Sequence, residues 1–116
     1  MTGYIYTPIT VTSGTSEEVY IPAGFVLVGI DIPEITGTSL TITTSPISGG
    51  TFKTYKTPLA IYGLTAGTAM TLTVGATSIG TFSIPSDLVR GLLPYIKIVS
   101  SSSEGFGATL IFNNIA

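Results

Sequence analysis

The chain has 116 residues, the length of a single domain, with four Lys or Arg residues, six Asp or Glu residues and a net charge of −2. It has no cysteine, which excludes disulfides and thiolate ligands, and no histidine, which removes the commonest general base and transition-metal ligand. Four cations are too few to neutralise a phosphate backbone, so we expect no binding to nucleic acid.

Hydroxyl residues take the place of charged residues throughout the chain. Charged residues are 9% of it, against about 25% in ordinary soluble proteins. Threonine and serine cost less to desolvate than lysine and glutamate, which favours a surface that is buried in an assembly. The alternative is an extracellular-type domain that uses threonine for its strand propensity.

The chain begins with a short aromatic segment. Residues 1–8 contain Tyr4, Ile5 and Tyr6 and are predicted to form an N-terminal arm. The arm is either the first strand of the domain or a segment that reaches onto a neighbouring subunit. Residues 9–116 are predicted to form a single domain.

The longest apolar run covers residues 25–32, interrupted only by Gly29 and Asp31. Such a run is typical of a central strand that is covered on both faces, and strict alternation places Val26, Val28 and Ile30 on one face. The next strand alternates apolar with hydroxyl side chains, and a Gly-rich turn then returns the chain to form a hairpin. Its hydroxyl face is predicted to comprise Ser39, Thr41, Thr43 and Ser45.

Similar short apolar runs, separated by Gly and Pro, recur to the end of the chain. The predicted strands cover residues 9–11, 17–21, 25–32, 39–45, 51–55, 58–62, 70–74, 79–84, 95–99 and 108–113. One helical candidate, residues 85–91, is at most about two turns long. The prediction is an all-β fold: an antiparallel, jelly-roll-like β-sandwich of about nine to ten short strands with at most one short helix.

The carboxylates offer two candidate pairs. Asp31 and Glu34 could bind calcium or act as a glycosidase pair, but calcium loops have denser acidic spacing, so two solvated side chains are favoured. Glu17 and Glu18 point to opposite faces of a strand, which favours edge charges over a paired site.

The remaining polar motifs are weaker. Lys97 and a serine of residues 100–103 could form a nucleophile–base pair, but the sequence context of known serine nucleophiles is missing and a turn is favoured. Residues 105–107 are not followed by a helix, so they are not a phosphate loop. We therefore predict no catalytic residue, no bound metal and no cofactor, and a protein that is not an enzyme.

Aromatic and apolar side chains supply the candidate contact residues. Tyrosines at alternating strand positions favour cross-strand packing or an interface, with a sugar-stacking platform as the alternative. The apolar stretch 89–95 is a candidate subunit contact, unless it caps one end of the sandwich. The candidate interface comprises Tyr4, Ile5, Tyr6, Val89, Leu92, Leu93 and Tyr95.

Four stretches carry a family resemblance: IPAGFVLVGIDIP, TGTSLTITTS, GGTFK and YIKIVSS. Within residues 21–56 and 94–112, the chain resembles small β-sandwich virion proteins of tailed bacteriophages, of the capsid decoration or cement type. The resemblance implies a jelly-roll-like trimer that bridges and stabilises neighbouring capsomers, so its partners would be its own copies and the major capsid protein. A tail, baseplate or fibre component is the first alternative, and a carbohydrate-binding or adhesion module is the second.

The same resemblance predicts where the protein acts. No basic and apolar leader is visible at the N-terminus, and no run approaches the ~18 apolar residues that span a bilayer. We therefore expect synthesis in the host cytoplasm without a signal peptide and no membrane association. The resemblance places the protein on the outer surface of the virion capsid.

Overall fold

The structure is a computed structural model that describes residues 3–56, 69–74, 79–84, 89 and 91–114. The predicted strand 58–62 lies outside these residues, as does the predicted helix 85–91 apart from Val89 and Gly91. In the described part, no helix is long and apolar enough to cross a membrane. The ten strands there are β1 (Tyr4–Thr12), β2 (Thr15–Ser16), β3 (Val19–Tyr20), β4 (Phe25–Ile32), β5 (Ser39–Ser45), β6 (Lys53–Thr54), β7 (Thr71–Thr73), β8 (Gly80–Ser83), β9 (Tyr95–Ser100) and β10 (Phe106–Asn114).

All ten strands pair antiparallel in one curled sheet, whose two halves pack together. The first half has the order β1-β10-β4-β8, and the second has the order β3-β9-β5-β7, with β6 beside β7 along the same edge of β5. The first and last long strands are neighbours, and most successive strands lie in opposite halves. This is the strand order of a jelly roll, so the predicted all-β, sandwich-like fold is confirmed.

The core lies between the two halves and is built by period-two alternation. In β5 and β9, every second side chain is buried, and those between them are half-buried on the outer face. Truncation of one fully buried side chain of this size is expected to cost about 2–5 kcal/mol. The side chains at the centre, each at most 1% exposed, are Leu40, Ile42, Ile96, Ile98, Leu110 and Phe112.

Ser45 is the exception on the predicted hydroxyl face of β5. It is 0% exposed, whereas Ser39, Thr41 and Thr43 are half-buried on the outer side. Its Oγ donates to the Ile47 carbonyl at 2.8 Å and accepts from the Ile47 amide at 3.3 Å. Ser45 pairs with Tyr95 in an unbroken register and so keeps the face of Thr43, but the turn that its hydroxyl binds covers it.

The long apolar strand β4 contains a β-bulge. Gly29 pairs with Ile111, but Leu27 pairs with Phe112, so the register shifts by one residue at Val28. An extra residue in one strand moves every side chain beyond it to the opposite side of the sheet.

The bulge decides which side chains of β4 face the core. Leu27 and Ile30 both face the core, where they are 1% and 0% exposed, respectively. The prediction that Val26 shares a face with Ile30 is therefore wrong, whereas Val28 packs against the core as Ile30 does. The prediction of a central, doubly covered strand is confirmed, because β4 lies between β10 and β8 and Val26 is buried on the side away from Ile30.

Residues 4–8, predicted as part of an N-terminal arm, are the first half of β1. This strand pairs with β10 without interruption, from Tyr4 opposite Asn113 to Val11 opposite Phe106. Of the two alternatives for this segment, the structure shows the first strand of the domain. The boundary placed at residue 8 falls inside β1.

A tight corner after β1 joins the two halves. The turn is made by Ser13 and Gly14, both with positive φ. The two-residue strand β2 lies outside the predicted strands and pairs with β1 on one side and with β9 on the other. The Gly14 amide donates to the Glu104 carbonyl at 2.9 Å, and the Gly14 carbonyl accepts from the Ser100 amide at 2.8 Å. The backbone of one glycine thus connects the corner to the loop before β10.

We expect Gly14→Ala to destabilise the protein more than Gly24→Ala. Both glycines have nearly the same φ, 84° and 83°, so alanine at either should cost about 1–2 kcal/mol in backbone strain. A Cβ at Gly14 would lie 2.7 Å from the Ser102 carbonyl oxygen, whereas one at Gly24 has no neighbour within 4 Å. Overpacking should add about 1–3 kcal/mol at Gly14. Urea unfolding measures both losses, and equal losses would show that this contact is unimportant.

Candidate functional site

The structure assigns a hydrogen-bonding role to several of the carboxylates. Glu104 lies in the loop between β9 and β10 and reaches the loop before β5. Its oxygens accept from the amides of Thr36 at 2.7 Å and Gly37 at 2.6 Å, and from the hydroxyl of Ser102 at 2.5 Å. The Ser100 hydroxyl lies at 3.4 Å. This group of contacts, the Glu104 latch, connects two loops that are far apart in the sequence.

The Glu104 latch favours the ionised carboxylate. The hydrogen bond from Ser102 is the largest cause, and those from Thr36 and Gly37 act in the same direction, so that the pKa of Glu104 falls to about 2 from an ordinary 4.5. Partial burial acts in the opposite direction. A carboxyl held ionised in this way is an acceptor rather than a proton donor near neutral pH.

The serine-rich turn next to the latch has a structural role. The Ser101 hydroxyl accepts from the amides of Thr38 at 3.0 Å and Ser39 at 3.3 Å. Lys97, the predicted partner for a serine nucleophile, places its Nζ 4.6 Å from the centre of the Phe52 ring instead. Lys97 therefore lies beside an aromatic ring, and Ser101 binds backbone amides.

The adjacent residues Glu17 and Glu18 contact different parts of the molecule. Glu17 accepts from the Thr10 amide at 2.8 Å. Glu18 accepts from the Ser48 hydroxyl and from the Gly49 amide, the latter at 2.7 Å. The Ser48 bond is the largest cause that lowers the pKa of Glu18, followed by the Gly49 bond. The two side chains form no joint site.

Asp31 and Glu34, the other predicted pair, are both exposed. The Thr81 hydroxyl donates to Asp31 Oδ1 at 3.3 Å. Within the described ranges, no group of three or more His, Cys, Asp or Glu side chains could hold a metal ion. What Asp31 does line is a shallow groove.

That groove has a volume of about 580 Å³ and lies on the outer face of the first half. Pro8 and Thr10 of β1 line one side, and Asp31 and Ile79 line the other. Thr109 of β10 also belongs to the lining, so carboxylate, hydroxyl and flat apolar groups meet there. No aromatic ring is among its described lining residues.

The candidate interface separates into exposed and buried residues. Tyr4 and Tyr6 are 57% and 64% exposed and stack along β1, with ring centres 6.4 Å apart. We call these two side chains the tyrosine strip. Val89 is only 3% exposed, so the core already covers it and it cannot belong to a free surface.

The other candidate residues are intermediate cases. Ile5 and Leu92 pack against the core, and Leu93 is 39% exposed. Tyr95 is half-buried, with its ring 5.3 Å from that of Tyr20. Sequence reasoning missed exposed apolar side chains elsewhere, notably Ile79. Exposure of that kind depends on strand order, which no local pattern reports.

A scan against protein-family models finds no match, and a search of curated proteins finds none either. Among solved structures, the fold is similar to a chain of Bacillus endospore appendages, described as a novel family of disulfide-linked pili. The two chains share 10% sequence identity and a TM-score of 0.47, over 98% of this chain and 86% of that one. A likeness this distant carries no argument about function, so the resemblance to phage virion proteins stays a prediction.

We expect Glu104→Gln to lower the stability in a pH-dependent way. The folded pKa is about 2 and the ordinary value is 4.5, so the ionised latch stabilises the fold fully above pH 4.5. This contribution is lost as the pH falls towards 2. The difference in unfolding midpoint between wild type and variant should shrink over the same interval.

The matched control is Glu34→Gln, at an exposed carboxylate with no hydrogen bond to the described residues. Its unfolding midpoint should follow that of the wild type at every pH. If Glu104→Gln also followed the wild type from neutral to acid pH, the latch would not contribute to stability.

Proposed function

We propose that this chain is a non-catalytic structural protein of a tailed-phage virion, and that it decorates the outer surface of the capsid. In this role it binds its own copies and the major capsid protein and stabilises neighbouring capsomers. The observation that carries the proposal is the tyrosine strip, Tyr4 and Tyr6, on the outer face of a strand that pairs with β10 along its length.

The tyrosine strip suits a contact surface because it is both apolar and rigid. Tyrosine supplies a large contact area with little conformational entropy to lose. β1 is held by β10 along its length and by β2 at its end, so the rings are fixed before any partner binds. A preorganised aromatic pair is what an interface centre needs.

The remaining surface also favours assembly. Glu17, Glu18 and Glu104 are already hydrogen-bonded within the chain, and Lys97 lies over an aromatic ring. The outer faces of β5 and β7 carry mainly hydroxyl and methyl groups. Little charge would therefore have to be desolvated when this face is covered.

Cement of this kind acts without chemistry. Apolar area buried between shell subunits contributes about 25 cal/mol per Å² before the costs of association are subtracted. A trimer, as the phage resemblance implies, would join several weak contacts into one stronger attachment. The capsid location and the trimer both rest on that resemblance, which covers residues 21–56 and 94–112.

Carbohydrate binding is the second candidate function, and the groove favours it. Asp31 and two threonines supply the polar contacts that a sugar needs, beside flat apolar surface. The tyrosine strip is adjacent, because Tyr6 precedes the groove residue Pro8 on the same face of β1. Glycan-array binding that is lost in Asp31→Ala would favour this reading over cement.

We expect the double variant Tyr4→Ser, Tyr6→Ser to fold normally but to leave the head. Virions that carry either form are separated into heads and tails on density gradients, and the protein is measured in each fraction. Wild type should sediment with heads, and loss of two aromatic contacts of about 1–2 kcal/mol each should reduce head occupancy at least tenfold.

The control is Ile47→Ser, which removes a side chain that is 62% exposed in a turn outside the strip. It should occupy heads as the wild type does. Wild-type protein found only in tail fractions would overturn the capsid location, and unchanged occupancy of the double variant would overturn the role of the strip.

A further inference from the structure

The end strand of the first half, β8, has no described strand on the side away from β4. In the described part of the chain it pairs only with β4, from Gly80 opposite Ile32 to Ser83 opposite Gly29. The order of strands therefore ends at β8. Some backbone groups of β8 therefore point away from β4.

One hydrogen bond fixes their direction. The Ile84 amide donates to the Val28 carbonyl at 2.9 Å. Backbone groups alternate in direction along an antiparallel strand, so Phe82 also bonds to β4, whereas Thr81 and Ser83 turn their N–H and C=O groups away from β4. No other described residue pairs with these outward groups.

This edge lacks the features that usually prevent strands from pairing. Residues 79–84 contain no charge and no proline, and Ile79 beside the strand is 70% exposed. At the other end of the sheet, β6 carries Lys53 and Lys56 follows it, whereas β7 on the same edge is uncharged. Lysine and proline are common protections of an edge, and their absence at β8 leaves an uncharged template for another strand.

We propose that β8 pairs antiparallel with β8 of a second copy of this chain about a twofold axis at Phe82. Thr81 of each copy would exchange two backbone hydrogen bonds with Ser83 of the other copy. The first halves of the two copies would then form one continuous eight-stranded sheet. This proposal adds a twofold contact to the self-association in the proposed function, and it depends neither on the capsid location nor on the trimer.

A second copy fits the edge better than an unrelated strand for two reasons. A twofold contact uses the same patch on both sides, and an uncharged patch meets no repulsion from itself. Phe82 is half-buried against the core, and opposite residues of an antiparallel pair project to the same face. The two Phe82 rings would therefore meet on the apolar side and extend both cores.

Backbone geometry also selects the register in which the two β8 strands pair. An axis at Thr81 would pair residues beyond Gly80, whose φ of 151° interrupts regular strand geometry. An axis at Phe82 keeps the contact within β8 and Ile84. In that register Phe82 faces its own copy as a non-hydrogen-bonded pair, with Cα atoms about 4.5 Å apart.

The absence of cysteine provides a direct test. Phe82→Cys introduces one thiol per chain, and a Cα separation of about 4.5 Å lies at the short end of the disulfide range. Mild oxidation should give a disulfide-linked dimer on a non-reducing gel. Thr71→Cys, on exposed β7, is the control and should remain monomeric on the same gel.

Ser83→Pro tests the same contact without a thiol. It decides whether β8 pairs with a second copy if Phe82→Cys does not fold. It removes an outward amide that β4 does not use, so circular dichroism should be unchanged. Two lost hydrogen bonds per dimer should weaken dimerisation roughly tenfold to hundredfold in sedimentation velocity. The double variant Tyr4→Ser, Tyr6→Ser should keep the Phe82→Cys cross-link, which separates this contact from the tyrosine strip.

Wild-type protein that stays monomeric at every concentration would overturn the proposal. A Ser83→Pro variant that associates as strongly as the wild type would overturn it equally. Wild-type protein that is absent from heads, while the Phe82→Cys cross-link still forms, would instead count against the proposed function alone.

Discussion

The antiparallel pairing of β1 with β10 is the interaction on which the rest of the molecule depends. It joins the two ends of the chain along eight residue pairs and places β10 between β1 and β4. The buried side chains Leu110 and Phe112 then lie at the centre of the first half. The same pairing fixes the backbone under Tyr4 and Tyr6, so a segment that could have been a loose arm becomes a rigid aromatic surface.

Several polar side chains in the described part of the chain connect loops. The Glu104 latch binds two consecutive backbone amides, and Glu18 binds an amide and a hydroxyl at another turn. Each of these interactions satisfies donors that a short loop cannot pair by itself. Several of the few charged side chains are hydrogen-bonded within the chain in this way. The framework is therefore rigid, and the surface consists mainly of hydroxyl, methyl and aromatic groups. Such a surface is suited to contact with other subunits.

The sequence predicts the strongest strands well and the connections between them less well. β4, β5 and β9 follow from apolar runs and period-two alternation, because burial of one or both faces leaves a direct trace in the residue types. The bulge at Val28 leaves no such trace, since the residues on either side of it, 25–30, are all apolar or glycine. β2 consists of Thr15 and Ser16, which are typical turn residues, and only its long-range pairing with β9 makes it a strand. Glu104 and its partner Thr36 are 68 positions apart, so the latch depends on the completed fold.

Electron cryo-microscopy of an intact virion that contains this chain would test the account most directly. We expect density for the jelly roll on the outside of the head, with Tyr4 and Tyr6 covered by a neighbouring subunit. Density confined to the tail, or a head-bound chain with both rings open to solvent, would contradict it.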